Sequence, residues 1–207
     1  MVDTVFVVHD EQVPTEDTRV RLVRAGVEIV DADGLEAVGL RAITRRAGVS
    51  HGAPRRYFPT HRALLAAIAR TGIEDLIGLI DPILGDESTP ASTRLVDAAR
   101  AYVAFACERR AMFELMFRHD LLDGAGENLR SATVPLIERL RSVVAQATSE
   151  TTTSSWESTL RMWSAMHGVA VLASNRALEP ISDVARVDID ALVIDLVERT
   201  VESGRNP

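Results

Sequence analysis

From Val20 to Val201 the apolar residues of this 207-residue chain return every three or four positions, and nowhere does an apolar and polar alternation bounded by turn residues persist. A period near 3.6 lines one face of a helix and a period of two lines one face of a strand, so the spacing predicts an all-α fold of about nine helices. Start and stop signals divide the pattern. A first helix carries Val20, Val23, Val27 and Val30, begins near Thr15 with Glu16 and Asp17 at its positive end, and stops at Asp33-Gly34. Two short helices follow, Leu40 to Ala47 closed by Gly48, and 50–58 with Ser50 as its N-cap and Pro59 beyond it. Thr60 caps a longer fourth helix that runs to a break at Pro82.

After a polar loop over 85–90, Leu95, Ala99, Tyr102, Val103 and Ala106 and then Met112, Phe113, Met116 and Phe117 fit two helices interrupted near 109–111. A loop over 123–126, a helix over 129–147 with Pro135 inside it, a polar linker over 148–155, and helices over 156–178 and 188–203 complete the chain. Residues 1–14 hold no lasting period and are expected to form an arm. The expected division is a domain of residues 1–62 and a larger one of residues 63–207.

Charge is distributed unevenly along this plan. Residues 41–70 hold seven arginines (Arg41, Arg45, Arg46, Arg55, Arg56, Arg62 and Arg70) and no acid, in a chain of formal net charge -7. One basic window in an acidic protein is the electrostatic footprint of a nucleic-acid-binding module joined to something else. Within the window, 40–58 is a helix, a tight turn at Ala47-Gly48-Val49 and a second helix, with Ile43 and Val49 as its small core and Gly48 allowing the positive backbone angle. A short second helix of this kind fits the major groove of double-stranded DNA, and its capped end directs N–H groups at a phosphate.

These residues resemble the TetR/AcrR family of transcriptional regulators. The resemblance is most specific over 19–68, where the helix-turn-helix leads into Phe58-Pro-Thr-His-Arg-Ala-Leu-Leu65, similar to the family's Phe-x-Ser-Lys-Glu-x-Leu-Leu. Trp163-Ser-Ala-Met-His167-Gly168, with Phe113-Glu-Leu-Met-Phe117, is similar to the family's WHG type of C-terminal domain. The resemblance implies a homodimer whose N-terminal domains bind an operator and whose C-terminal domains bind a small-molecule effector that releases the DNA, the behaviour of a repressor. By position it assigns DNA contact to His51, Gly52, Ala53, Arg55, Arg56 and Tyr57, with Pro54 and Phe58 facing the core; Arg41, Ser50, Thr60 and His61, beside them in the basic window, are expected to add to the DNA contact. Ala53 stands where the family commonly has Thr, Arg55 where it has Tyr, and Gly39 where it has a capping Ser or Thr.

In the second half, the helices over 156–178 and 188–203 are each apolar on more than one face, which calls for two packing partners and fits a two-fold four-helix bundle between copies. Phe113, Met116, Phe117, Trp163, Met166 and His167 form an inward set that would line a pocket for an apolar effector, with His167 equally suited to core packing. No second His or Cys stands at ligand spacing from His167 and Cys107 is the single cysteine, so neither a metal nor a disulfide is expected, and no cofactor. A phosphate-binding glycine loop, a nucleophile elbow and a paired-carboxylate motif are all missing, which disfavours an enzyme; a purely dimeric helical adaptor would not explain the arginines. The first ten residues include acids where a signal peptide has basic ones, and no run of eighteen apolar residues occurs, so a cytoplasmic protein without membrane attachment is expected.

Overall fold

The computed structural model describes residues 17–126, 128–149, 155–180 and 188–205, so the arm expected over 1–14 and most of the linker expected over 148–155 lie outside the described residues. Among the described residues there are ten α-helices and no strand. They are α1 (Thr18–Asp33), α2 (Leu40–Ala47), α3 (Pro54–Tyr57), α4 (His61–Gly85), α5 (Ala91–Glu108), α6 (Arg110–Met116), α7 (His119–Leu122), α8 (Arg130–Thr148), α9 (Ser155–Ser174) and α10 (Ile189–Arg205), with a 3-10 turn at Leu35–Ala37. The helix beyond the expected nine is α7, a single turn too short to show a period.

Helix α1 opens as its sequence demands: the Asp17 carboxylate accepts from the Arg19 N–H at 3.1 Å, and Gly34, at φ 85°, donates back to the Val30 carbonyl. Its buried stripe differs from the expected one. Leu22, Ala25, Gly26, Ile29 and Val30 are buried while Val20 is 48% exposed, so the inward face lies a residue or two round from the valines that marked the period. The reason is Gly26, invisible to an apolar count. A Cβ built there would stand 2.2 Å from Cδ1 of the fully buried Ile68, so α1 and α4 approach through a missing side chain. Leu22, Ile29, Ile43, Leu64 and Ile68 close around that contact, each worth about 1.5–3 kcal/mol of burial. Gly26→Val should therefore force the helices apart and lower stability by about 1–3 kcal/mol, read as a fall in the thermal unfolding midpoint; an unchanged midpoint would mean the two helices separate without cost.

The other departures have local causes. The helix expected over 50–58 is only the four residues of α3, because the first bond of a helix capped at Ser50 would come from the N–H of residue 54, and Pro54 has none. The Ser50 carbonyl accepts instead from the Ala53 N–H at 3.0 Å, and Pro54 takes the first helical position, where its missing donor costs nothing. Helix α4 continues through Pro82 to Gly85, where a break was expected: Pro82 lies within a turn of the end, and Leu84 is 1% exposed with its carbonyl held at 2.7 Å by the buried Arg94 guanidinium. A second Arg94 nitrogen donates to Gln146 Oε1 at 2.6 Å, tying the ends of α4, α5 and α8 together. Helix α9 stops at Ser174, four residues short of the expected end, as Arg176 takes a positive φ of 58°. Around these, α5 is the hub of the second half, packing on α4, α8, α9 and α10.

Candidate functional site

The turn between α2 and α3 is built as expected at Gly48, which adopts φ 62° and ψ 38° and donates to the Arg45 carbonyl, while Val49 donates to Thr44 O at 3.0 Å. Arg21 of α1 reaches across and donates to the carbonyls of Ala47 at 2.6 Å and Gly48 at 3.2 Å, placing a cation at the negative end of α2. Arg19 lies over the ring of buried Phe58, 5.2 Å from its centroid. Nothing in the sequence distinguishes Arg19 and Arg21 from their neighbours; they fix the second half of the motif on α1 because the fold brings residue 21 beside residue 47.

With Pro54 and Phe58 buried beneath them, His51, Gly52, Arg55, Arg56 and Tyr57 are exposed and Ala53 is partly so. Arg41 and Arg45 are one turn apart on the outer face of α2, and Ser50 is exposed at the turn. Ser50 makes no side-chain cap, and a four-residue helix has no macrodipole to aim, so the anion-directing role expected of its N-terminus is withdrawn. That role fits the next helix better. Thr60 Oγ1 accepts from the Ala63 N–H at 3.0 Å, as expected of a cap, at the head of a 25-residue helix whose first turn carries Arg62. His61, beside it, has a buried Nε2 with no hydrogen-bond partner. Of the seven arginines in the basic window, Arg46 pairs with Asp33 at 3.2 Å and Arg70 with Glu74 at 2.8 Å, whereas Arg41, Arg45, Arg55, Arg56 and Arg62 have no acidic partner among the described residues. Five uncompensated guanidiniums on three consecutive helices make a surface suited to phosphates and to guanine edges.

The second candidate site is a packed aromatic cluster. His167 stands 4.4 Å from the Phe117 ring, 5.5 Å from Phe113 and 5.7 Å from Trp163, and Phe113 and Phe117 are 5.0 Å apart. Its Nδ1 is 2.8 Å from the hydroxyl of Tyr102, a partner 65 residues away that was not among the expected lining residues. Burial pushes the Tyr102 phenol up and the His167 imidazole down, so the two meet as neutral groups that satisfy each other. Met116 and Met166 are buried. Of the six residues expected to line a pocket, Phe113, Phe117, Trp163 and His167 are thus brought together, with their rings in mutual contact. Two cavities, of about 320 and 230 Å³, lie elsewhere, the larger beside Asp31, Arg109 and Glu114 and the smaller beside Ile29 and Arg45. Among the described residues no three His, Cys, Asp or Glu side chains are grouped to hold a metal.

Helix α6 links the two sites. Phe113 faces the aromatic cluster, and on the same short helix Met112 and Met116 press on α4 where Gly72 leaves room: a Cβ there would lie 2.6 Å from Met112 Cγ and Sδ and 3.1 Å from Met116 Sδ. At the break between α5 and α6, Arg109 donates to both oxygens of Asp31 on α1 (3.1 and 2.7 Å) and to Asp75 on α4 at 2.6 Å.

Residues 22–68 match the family described as bacterial regulatory proteins, tetR family, and residues 95–199 match a tetracyclin repressor-like C-terminal domain. The nucleoid occlusion factor SlmA of Marinobacter nauticus is 26% identical over 132 residues, which is 64% of this chain and 67% of that protein. Among solved structures, one of a protein with unknown function from Rhodococcus sp. RHA1 superposes with a TM-score of 0.76 at 24% identity, covering 94% of this chain and 98% of that one. BioQ with its double-stranded DNA operator superposes at 0.63 and 16% identity, over 89% of this chain and 99% of that one.

Proposed function

Because the chain belongs to the tetR family of bacterial regulatory proteins and is a DNA-binding transcriptional regulator, we propose that it acts as a homodimeric repressor that leaves its operator when a small apolar effector binds the second half of the chain. The observation that carries the DNA contacts is the set of exposed, acid-free arginines about the helix-turn-helix: Arg41, Arg45, Arg55, Arg56 and Arg62. Ser50, His51, Gly52, Ala53, Tyr57, Thr60 and His61 complete the surface. Residues 1–62 do the reading and 63–207 the sensing and pairing, with α4 shared between them. Among the described residues no helix is long and apolar enough to cross a membrane, which fits an encounter with DNA in the cytoplasm. Gel-shift of the DNA upstream of the chain's own gene, titrated with protein and salt, tests the reading; absence of a shifted band at any salt would refute it.

The effector's place is the cluster of Phe113, Met116, Phe117, Trp163, Met166 and His167. Since these rings fill the space between them, an effector must part them, and the parted state is a second shape with its own spacing of the reading heads. Helix α6 transmits that change to α4 at Gly72 and to α1 through Arg109. An effector that binds the parted shape 100-fold better shifts the balance by about 2.7 kcal/mol, and by linkage operator DNA weakens effector binding as much. Trp163→Ala should leave unliganded operator affinity within about twofold and abolish operator release by any apolar aromatic or long-chain compound found to act on the parent protein. Release that survives this substitution would move the effector site elsewhere.

A further inference from the structure

Thr44 and His51 make a contact that decides what His51 offers to DNA. Thr44 is 1% exposed, so its hydroxyl has no access to bulk water, and its single proton is donated to the Arg41 carbonyl at 3.1 Å. His51 Nδ1 stands 3.3 Å from the same oxygen. Both bonds exist together only if the imidazole donates through Nδ1–H and the hydroxyl oxygen accepts. A neutral ring with its proton on Nδ1 carries a bare lone pair on Nε2. Nδ1 is turned in toward α2, so Nε2 is turned out, from a side chain that is exposed at the turn between the two helices.

The surroundings sharpen the consequence. The charged side chains of α2 and α3 without an acidic partner among the described residues, Arg41, Arg45, Arg55 and Arg56, are all donors, and they are matched to phosphate oxygens and to guanine O6 and N7. His51 is an acceptor among them. In the major groove the only base-edge donors are the exocyclic amino groups, N4 of cytosine and N6 of adenine. We infer that His51, held by Thr44 in the Nδ1–H form, is a specificity residue that reads an amino-bearing base, cytosine or adenine, at one position of each operator half-site and rejects guanine and thymine there. The inference rests on the DNA-binding reading and adds to it the chemical class of one recognised base.

The test is enrichment of a double-stranded library with a randomised core of about 20 base pairs, enough for two half-sites one helical turn apart, performed at pH 8 with the wild-type chain, His51→Ala, His51→Lys and Thr44→Val. The wild type should show one half-site position enriched in cytosine and adenine over guanine and thymine by about five- to tenfold, the low end for a single base contact. His51→Ala should flatten that position and leave the rest of the consensus. His51→Lys, a donor only, should invert it toward guanine and thymine. Thr44→Val keeps the buried shape but removes the accepting oxygen; it should weaken the preference while the chain's thermal midpoint and the other positions hold. A wild-type consensus with no position that responds to His51→Ala, or one that prefers guanine or thymine at the responding position, overturns the assignment. Failure to enrich any sequence would instead count against the DNA-binding surface as a whole.

Discussion

Replacing Arg55 and Arg56 together with alanine should lower operator affinity by at least about 100-fold, because the proposed two-fold complex would lose four guanidiniums and each good base contact is worth about 1–3 kcal/mol. Both side chains are exposed on α3 above the buried Pro54, and neither has an acidic partner among the described residues, so the fold should survive the change. Salt dependence separates the two ways they can act. An arginine on a phosphate contributes about 0.9 to the slope of log affinity against log salt, and its loss weakens all sequences alike. An arginine on a guanine edge contributes to discrimination, and its loss relaxes preference at one position. Arg161→Ala is the control, an exposed residue of α9 paired only with Glu157 at 2.8 Å. Wild-type affinity in a folded double variant would remove α3 from the interface.

The second large effect should come from the other end of the molecule. Helix α9 leaves Trp156, Leu160 and Leu172 exposed at 36%, 48% and 45%, and on α10 Ile194 is partly buried, with Ile189, Leu192 and Leu196 partly buried at the rim of the same core. The inward faces are already filled, by Met162, Met166 and Val169 on α9 and by Val193, Val197 and Val201 on α10. A second copy meeting this face would give each helix the second partner its apolar pattern requires. Leu160→Asp places a charge in that face without touching the subunit's own core. Equilibrium sedimentation should then report the 22.6 kDa single chain at micromolar concentration, and affinity for a two-half-site operator should fall by about 10³-fold toward the non-specific level, since one reading head spans only a few base pairs. A variant that remains paired, or a single chain that binds the operator as tightly as the wild type, would show that this face is not what joins two heads.

Much of the molecule follows from short-range chemistry and was readable for that reason. The Thr60 cap, the stop at Gly34, the left-handed Gly48 and the break between α5 and α6 are each decided by residues within a few positions of one another, as is the concentration of arginine over 41–70. The same local rule shortened α3: Pro54 withholds the one N–H that a helix starting at Ser50 needs, a consequence the sequence contains and that an N-cap preference alone overlooks.

Tertiary structure decided what depends on partners far away in the chain. The buried face of α1 was set by Gly26 meeting Ile68, a close approach that registers as no hydrophobic signal. One of the seven basic side chains, Arg46, was neutralised by Asp33 of another helix. Tyr102 became the partner of His167 across 65 residues, and Arg109 the bridge from the α5–α6 break to α1 and α4. A sequence states which groups can donate and accept; only the fold brings a particular donor within bonding distance of a particular acceptor, and there the free valences left for DNA are determined.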